Sequence, residues 1–196
     1  MIRQIFFDLG KVLLDYDLAV IGRGLEKYSP LSGGKILEKL LATPTERAWE
    51  RGEITNEDFY HFACHQAQLN LSEDRFAAIW SDIFWLIPST DDLLSRLRGK
   101  LPMGLITNIS PLHNTFIRKK FDVFRKFDFV IASCEVGHRK PDPRIYKIAL
   151  KQTNFGAEET LFIDDRAENI EGAKALGFQT LHFQDINRTE IIWTAR

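Results

Sequence analysis

The 196-residue chain has only two cysteines, Cys64 and Cys134, and they are not spaced as a metal-binding pair. Two thiols do not make the disulfide framework of a small secreted domain, so reduced cysteines in a cytoplasmic protein are expected. Charge of one sign is lacking too: 26 basic against 27 acidic residues leave a formal net charge of -1. That balance supplies no global footprint for nucleic acid or an anionic membrane surface. The basic run Arg118-Lys119-Lys120 reads as a solvated helix end. No stretch approaches the roughly 18 consecutive apolar residues a membrane span needs, and no basic leader precedes such a run. The five histidines form no ligand motif. What is present is a globular composition, 44% hydrophobic and 27% charged, over a length sufficient for a self-standing core.

Apolar runs alternate with helical patterns along most of the chain. Ile5-Phe6-Phe7 fits a buried parallel strand, with Ile2 at its start. Leu101 to Thr107, Phe127 to Ala132, Thr160 to Ile163 and Phe178 to Phe183 read as further strands. Between them, Ser89 with Asp92, Ser110-Pro111 and Asp142-Pro143 mark helix starts, and Gly99 and Gly177 mark helix ends. This order predicts an α/β fold: a three-layer, Rossmann-like parallel sheet. Residues 17–86 differ. They are rich in aromatics, carry capping signals at Thr55 with Asp58 and at Ser72, and contain no convincing strand. They read as a small inserted helical domain, with residues 1–16 and 87–196 forming the core around it. Trp49, Trp80 and Trp85 are assigned to packing rather than to a ligand.

Four segments place chemistry-bearing residues at strand ends, where parallel sheets bind ligands. Asp8 follows the first strand and precedes Leu9-Gly10, with the glycine where the backbone must turn sharply. Its carboxylate suits a nucleophile, a metal ligand or both, and equally a turn cap. Mg2+ favours oxygen donors, which Asp8, the Gly10 carbonyl and Asp165 can supply. Thr107 and Asn108 end the second strand, either holding phosphate oxygens at a helix entrance or serving as turn residues. Lys140, bracketed by Arg139 and Pro141, can reach inward to neutralise phosphate and acidic groups. Asp164-Asp165 ends another strand, and adjacent carboxylates call for a counter-ion. Asn169, in the next helical turn, can hydrogen-bond a carboxylate or a metal-bound water. His113, one turn into the helix after Ser110-Pro111, is placed at the pocket rim as a substrate contact or a structural histidine. Asp15 and Asp17 are read as linker or cap groups.

From Phe6 to about Gly177 the chain resembles haloacid dehalogenase-like superfamily hydrolases. The resemblance rests on Asp8, Thr107, Lys140 and Asp164-Asp165, in that order. Asp8-Leu9-Gly10, Arg139-Lys140-Pro141-Asp142-Pro143 and Asp164-Asp165-Arg166-Ala167-Glu168-Asn169 are similar to a subgroup that includes α-D-glucose-1-phosphate phosphatase. The resemblance implies a Mg2+-dependent phosphatase of a small phosphorylated metabolite, a sugar phosphate such as glucose 1-phosphate included, working through an aspartyl phosphate. It implies Asp8 as nucleophile and metal ligand, Asp165 as the main metal carboxylate and Asp164 behind it. Thr107, Asn108 and Lys140 would hold the phosphoryl group, under a cap formed by residues 17–86. No motif sets an oligomeric state. Gly10 stands where family phosphatases usually carry a second aspartate, the general acid and base. This departure keeps open a weakly active or inactive binding protein. A 2-haloacid dehalogenase is the further alternative, set against the acidic pair that those metal-free enzymes lack.

Overall fold

The computed structural model describes residues 1–183. From the N-terminus, β1 (Gln4–Phe7) and β2 (Leu14–Tyr16) lead into α1 (Leu18–Leu25), α2 (Gly33–Leu40), α3 (Pro44–Glu50), α4 (Asn56–Ala67) and α5 (Glu73–Ser81). Then come β3 (Phe84–Leu86), α6 (Pro88–Leu97), β4 (Met103–Thr107), α7 (Pro111–Lys120), β5 (Phe129–Ala132) and α8 (Ser133–Val136). The described chain ends with α9 (Pro143–Leu150), β6 (Thr160–Asp164), α10 (Ala167–Lys174) and β7 (Gln179–His182). Five strands form one sheet in the order β5-β4-β1-β6-β7, every neighbouring pair parallel.

Side-chain alternation builds the three layers. Ile5 and Phe7 of β1, Met103 and Leu105 of β4, and Leu161 and Ile163 of β6 share one apolar cluster with Leu93, Leu94 and Leu97 of α6 and Ile117 of α7. The intervening Phe6, Ile106 and Phe162 face the other way, against Ile145, Tyr146 and Ala149 of α9 and Ile170 and Ala173 of α10. Both faces of the sheet are therefore covered, as a parallel sheet requires. Among the described residues, no helix is long and apolar enough to cross a membrane.

Helices α1 to α5 enclose a third apolar cluster of their own. Trp49 stacks on Phe59 with ring centroids 3.9 Å apart, and Trp80 meets Phe59 edge-on at 5.1 Å. α1 and α2 approach so closely that a Cβ at Gly33 would lie 2.6 Å from the Gly22 carbonyl carbon, so both positions need glycine. Thr55 and Asp58 form the expected reciprocal cap, and Ser72 accepts from the Arg75 amide.

Three local expectations need correction. The segment read as wholly helical ends in β3, which pairs antiparallel with β2, Tyr16 opposite Phe84. Phe84-Trp85-Leu86 has no apolar–polar alternation and is too short to announce a strand by itself. Its outward face leaves Trp85 47% exposed, so this tryptophan is not part of a core, unlike Trp49 and Trp80. Finally, Ser89 and Asp92 do not cap α6, which begins one residue earlier at Pro88 with Ile87 as its N-cap. Proline's fixed φ and missing N–H suit that first position.

Candidate active site

The sheet register brings the polar strand ends together. Phe7 pairs with both Leu105 and Ile163, so the residues just beyond them converge at one edge. The Asp8 amide donates to the Ile163 carbonyl at 2.8 Å, fixing the backbone from which its side chain projects. Lys140 enters from the segment between α8 and α9 and is 1% exposed. Its Nζ donates to Asp8 Oδ1 at 2.6 Å, to Asp164 Oδ2 at 2.7 Å and to the Ile106 carbonyl at 2.7 Å, using all three ammonium hydrogens.

Asn108 lines the cavity with its side chain engaged elsewhere. Its Nδ2 donates to the Lys140 carbonyl at 2.9 Å and its Oδ1 accepts from the Lys140 amide at 2.7 Å. A primary amide matches a peptide's donor and acceptor, so this side chain clamps the Lys140 backbone rather than offering itself to phosphate. Asp164 is held still more fully. Its carboxylate accepts from Lys140, from the Arg166 amide at 2.8 Å and from Asn169 Nδ2 at 2.9 and 3.0 Å. Tyr146 donates to the Asn169 carbonyl at 2.8 Å, fixing that residue in turn.

Asp8, Asp164 and Asp165 each offer a carboxylate oxygen, and the three oxygens lie within 4.8 Å of one another. One ammonium among three carboxylates leaves a formal charge of -2 in a buried place. Burial pushes Asp8 up to about 7 against the opposing pull of Lys140, with Asp164 adding to the rise. Burial and Asp164 also raise Asp165. Lys140 is opposed by burial, but the two carboxylates beside it outweigh that and hold it above the ordinary lysine value. An all-oxygen donor set with two uncompensated charges fits a hard divalent cation. The buried Asn169 Oδ1 has no partner among the described residues, an acceptor fit for a water of such an ion.

These groups open into a cavity of about 320 Å3 whose wall includes Thr107, Gly10, Asp165 and His113. Thr107 is 2% exposed, and its hydroxyl makes no hydrogen bond among the described residues. His113 Nε2 lies 2.9 Å from the Trp80 carbonyl, and the ring meets Phe84 edge-on at 4.9 Å. Burial lowers its pKa to about 4, so at neutral pH it is uncharged and Nε2 donates to that carbonyl. It ties α7 to α5 and brings no positive charge to a phosphate. The left-handed turn after β1 falls at Lys11, with φ 60°, rather than at Gly10. Glycine at position 10 has a different consequence: a Cβ there would sit 3.0 Å from Tyr16 Cε1, so its absence lets the ring pack closely against the turn. Asp15 accepts from Lys11 at 2.5 Å, and Asp17 caps α1 through the Ala19 amide.

Other cavity residues were not singled out from sequence: Tyr16 of β2 and Glu46 and Glu50 of α3; Arg139 was read only as the neighbour of Lys140. Arg139 Nε pairs with Glu50 Oε2 at 2.8 Å, joining the Lys140 segment to α3. Burial and the nearby Glu50 raise Glu46 to about 7. Tyr16, Glu46 and Glu50 carry no local signal, because each reaches the cavity only through tertiary packing.

A family model described as haloacid dehalogenase-like hydrolase matches residues 2–177. The chain is 32% identical over 187 residues to the sesquiterpene phosphatase astK of Aspergillus oryzae, covering 93% of this chain and 90% of that one. It is 28% identical over 188 residues to an (S)-2-haloacid dehalogenase of Pseudomonas putida, covering 90% and 82%. Two other relatives are much longer, and the chain spans only 18% and 34% of them. Among solved structures, a mutant of the HAD family enzyme bt-2542 from Bacteroides thetaiotaomicron, in complex with magnesium and inorganic phosphate, superposes with a TM-score of 0.85. That similarity covers 93% of this chain and 94% of the other, at 26% identity.

Proposed function

The chain belongs to the haloacid dehalogenase-like hydrolases, and on that premise we propose that it is a Mg2+-dependent phosphatase of a small phosphorylated metabolite. The observation that carries this reading is the cluster of Asp8, Asp164 and Asp165 around a single ammonium, with a charge deficit that one divalent cation would balance. The astK phosphatase and the magnesium- and phosphate-bound bt-2542 structure support the same choice. A sugar phosphate such as glucose 1-phosphate is the first ester to try.

Asp8, the Gly10 carbonyl and Asp165 would hold the metal, which when bound neutralises charge on the phosphoryl oxygens and keeps Asp8 ionised. Lys140 orients Asp8 through its 2.6 Å contact, and Asp164 with Asn169 holds Lys140 in place. An Asp8 oxygen bonds to phosphorus in line with the ester oxygen, whose bond to phosphorus breaks to leave an aspartyl phosphate, and the departing oxygen takes a proton from water to become the alcohol. The hydroxide left by that water then attacks phosphorus, releasing hydrogen phosphate and restoring the Asp8 carboxylate. The Thr107 hydroxyl hydrogen-bonds a phosphoryl oxygen, and the Lys140 charge stabilises the anion without giving up its hydrogens. Residues 17–86 act as the cap over a core formed by 1–16 and 87–183, the remainder of the expected 87–196 segment lying outside the described residues, and the cap limits water and admits only small esters.

Gly10 favours a second reading, a slow or inactive member that binds a phosphorylated ligand, because loss of a general acid removes on the order of 10²–10⁴-fold in rate. The experiment is phosphate release from a panel of metabolite phosphates, with and without Mg2+. Mg2+-dependent release supports the phosphatase. No release together with Mg2+-dependent binding of a phosphate analogue favours the binder. Metal-independent halide release from a 2-haloacid instead would establish the dehalogenase chemistry of the Pseudomonas putida relative.

A further inference from the structure

We propose that the Tyr16 hydroxyl takes over part of the role vacated at position 10, by hydrogen-bonding the ester oxygen of the departing alcohol. The assignment rests on the phosphatase reading above and names a further residue for that reaction. The ring lies directly against position 10: an added Cβ would meet Tyr16 Cε1 tightly at 3.0 Å, and Cδ1 at 3.8 Å and Cζ at 4.0 Å in ordinary contact. A side chain at position 10 would therefore press on the Tyr16 ring, which would have to give by a few tenths of an ångström, and both residues line the cavity with Asp8.

Tyr16 is held there from several sides. β2 pairs with β3, and the Tyr16 ring meets Phe84 edge-on at 5.8 Å. The Lys11 ammonium sits 4.6 Å from the ring centroid and donates to the Tyr16 carbonyl at 2.8 Å, while also pairing with Asp15. An ammonium over the ring face restrains it without consuming the hydroxyl. That hydroxyl makes no hydrogen bond among the described residues, although the residue is part-buried in the wall shared with Asp8, Thr107 and Asp165. A phenol placed in a reactive cavity and left unpartnered is a donor waiting for an acceptor. A phenolic O–H is both donor and acceptor, so it can donate to an ester oxygen brought into the cavity.

The chemistry balances without ionising the phenol. As an Asp8 oxygen bonds to phosphorus, the ester P–O bond breaks and its electron pair goes to the ester oxygen. That oxygen accepts the Tyr16 hydrogen bond as its charge grows and takes its proton from a water molecule. The hydroxide so formed attacks the phosphorus of the aspartyl phosphate, restoring the Asp8 carboxylate and releasing hydrogen phosphate. Tyr16 thus stabilises developing charge, and its effect grows with the basicity of the leaving group.

The test compares wild type with Tyr16→Phe on two esters, an alkyl phosphate and p-nitrophenyl phosphate. Loss of one hydrogen bond to a charged oxygen predicts about 10- to 100-fold lower kcat on the alkyl ester. On p-nitrophenyl phosphate, whose leaving group needs little help, a change under about threefold is expected; that ester also reports folding. A second pair removes the ring: Gly10→Asp combined with Tyr16→Ala should recover alkyl-ester turnover relative to Tyr16→Ala alone. Equal losses on both esters, or no loss on the alkyl ester, would overturn the Tyr16 assignment and leave the phosphatase reading intact. A wild type without Mg2+-dependent turnover of either ester would overturn both.

Discussion

Acidification should weaken this fold specifically through His113. The ring donates from Nε2 to the Trp80 carbonyl and packs against Phe84, in a setting that lowers its pKa to about 4 from an ordinary 6.5. Between those values the unfolded chain binds a proton that the folded chain refuses. Stability therefore falls as pH drops below about 6.5, and the loss is complete below about 4. At 1.36 kcal/mol per pKa unit the difference is about 3 kcal/mol, and residual solvent contact of the ring brings it toward about 2. That is a large share of the ~5–15 kcal/mol that stabilises an ordinary domain. The comparison is wild type against His113→Gln in urea titrations at pH 7, 5.5 and 4. At pH 7 the variant should be less stable, having lost packing and about 1 kcal/mol of hydrogen bonding. By pH 4 that gap should have closed or reversed, moving by about 2–3 kcal/mol. Groups that titrate in both proteins, such as Asp142, cancel in the difference. Parallel pH profiles would refute the reasoning, because they would mean that His113 protonates equally easily in both states.

Lys140→Met should lower stability by about 3–5 kcal/mol in the presence of a chelator, since it leaves Asp8 and Asp164 buried without their ammonium; chemical denaturation at fixed pH measures it. Asn108→Ala removes the two bonds that hold the Lys140 backbone and should cost about 1–3 kcal/mol. It should also lower kcat more than it raises KM, because it loosens Lys140 rather than a substrate contact. Mg2+ should raise the thermal midpoint of the wild type, by an amount equivalent to about 2.7 kcal/mol at a concentration 100 times Kd. Asp165→Asn should abolish most of that shift in the same thermal scan.

The polar strand ends were legible because their signals are local. An apolar run followed by Asp8, by Thr107 or by Asp164-Asp165 announces a buried strand that delivers a polar group to the sheet edge, and the structure brings Asp8, Lys140, Asp164 and Asp165 to one point. The alternation of Ile5, Phe6 and Phe7 likewise sufficed for a sheet covered on both faces. Contacts distant in sequence did not show. Asn108 reads as a turn or phosphate residue until the Lys140 backbone arrives from 32 positions away. Gly10 reads as a sharp turn, whereas the positive φ belongs to Lys11 and the glycine makes room for Tyr16. β3 was hidden because three consecutive apolar residues fit the end of a helix as well as a strand, and only pairing with β2 decides between them. The seam between α3 and the sheet domain, where Ser133 donates to the Glu50 carbonyl at 2.6 Å and Arg139 meets its carboxylate, depends wholly on tertiary geometry.

The central claim is that Asp8 attacks phosphorus, and trapping the intermediate tests it most directly. Enzyme turning over a metabolite phosphate with Mg2+ would be acid-quenched and reduced with borohydride, and its peptides read by mass spectrometry. An aspartyl phosphate at residue 8 is reduced to homoserine there, and this mark should be absent without ester and in Asp8→Asn. Turnover with no modification at residue 8, and phosphate release undiminished in Asp8→Asn, would contradict the account.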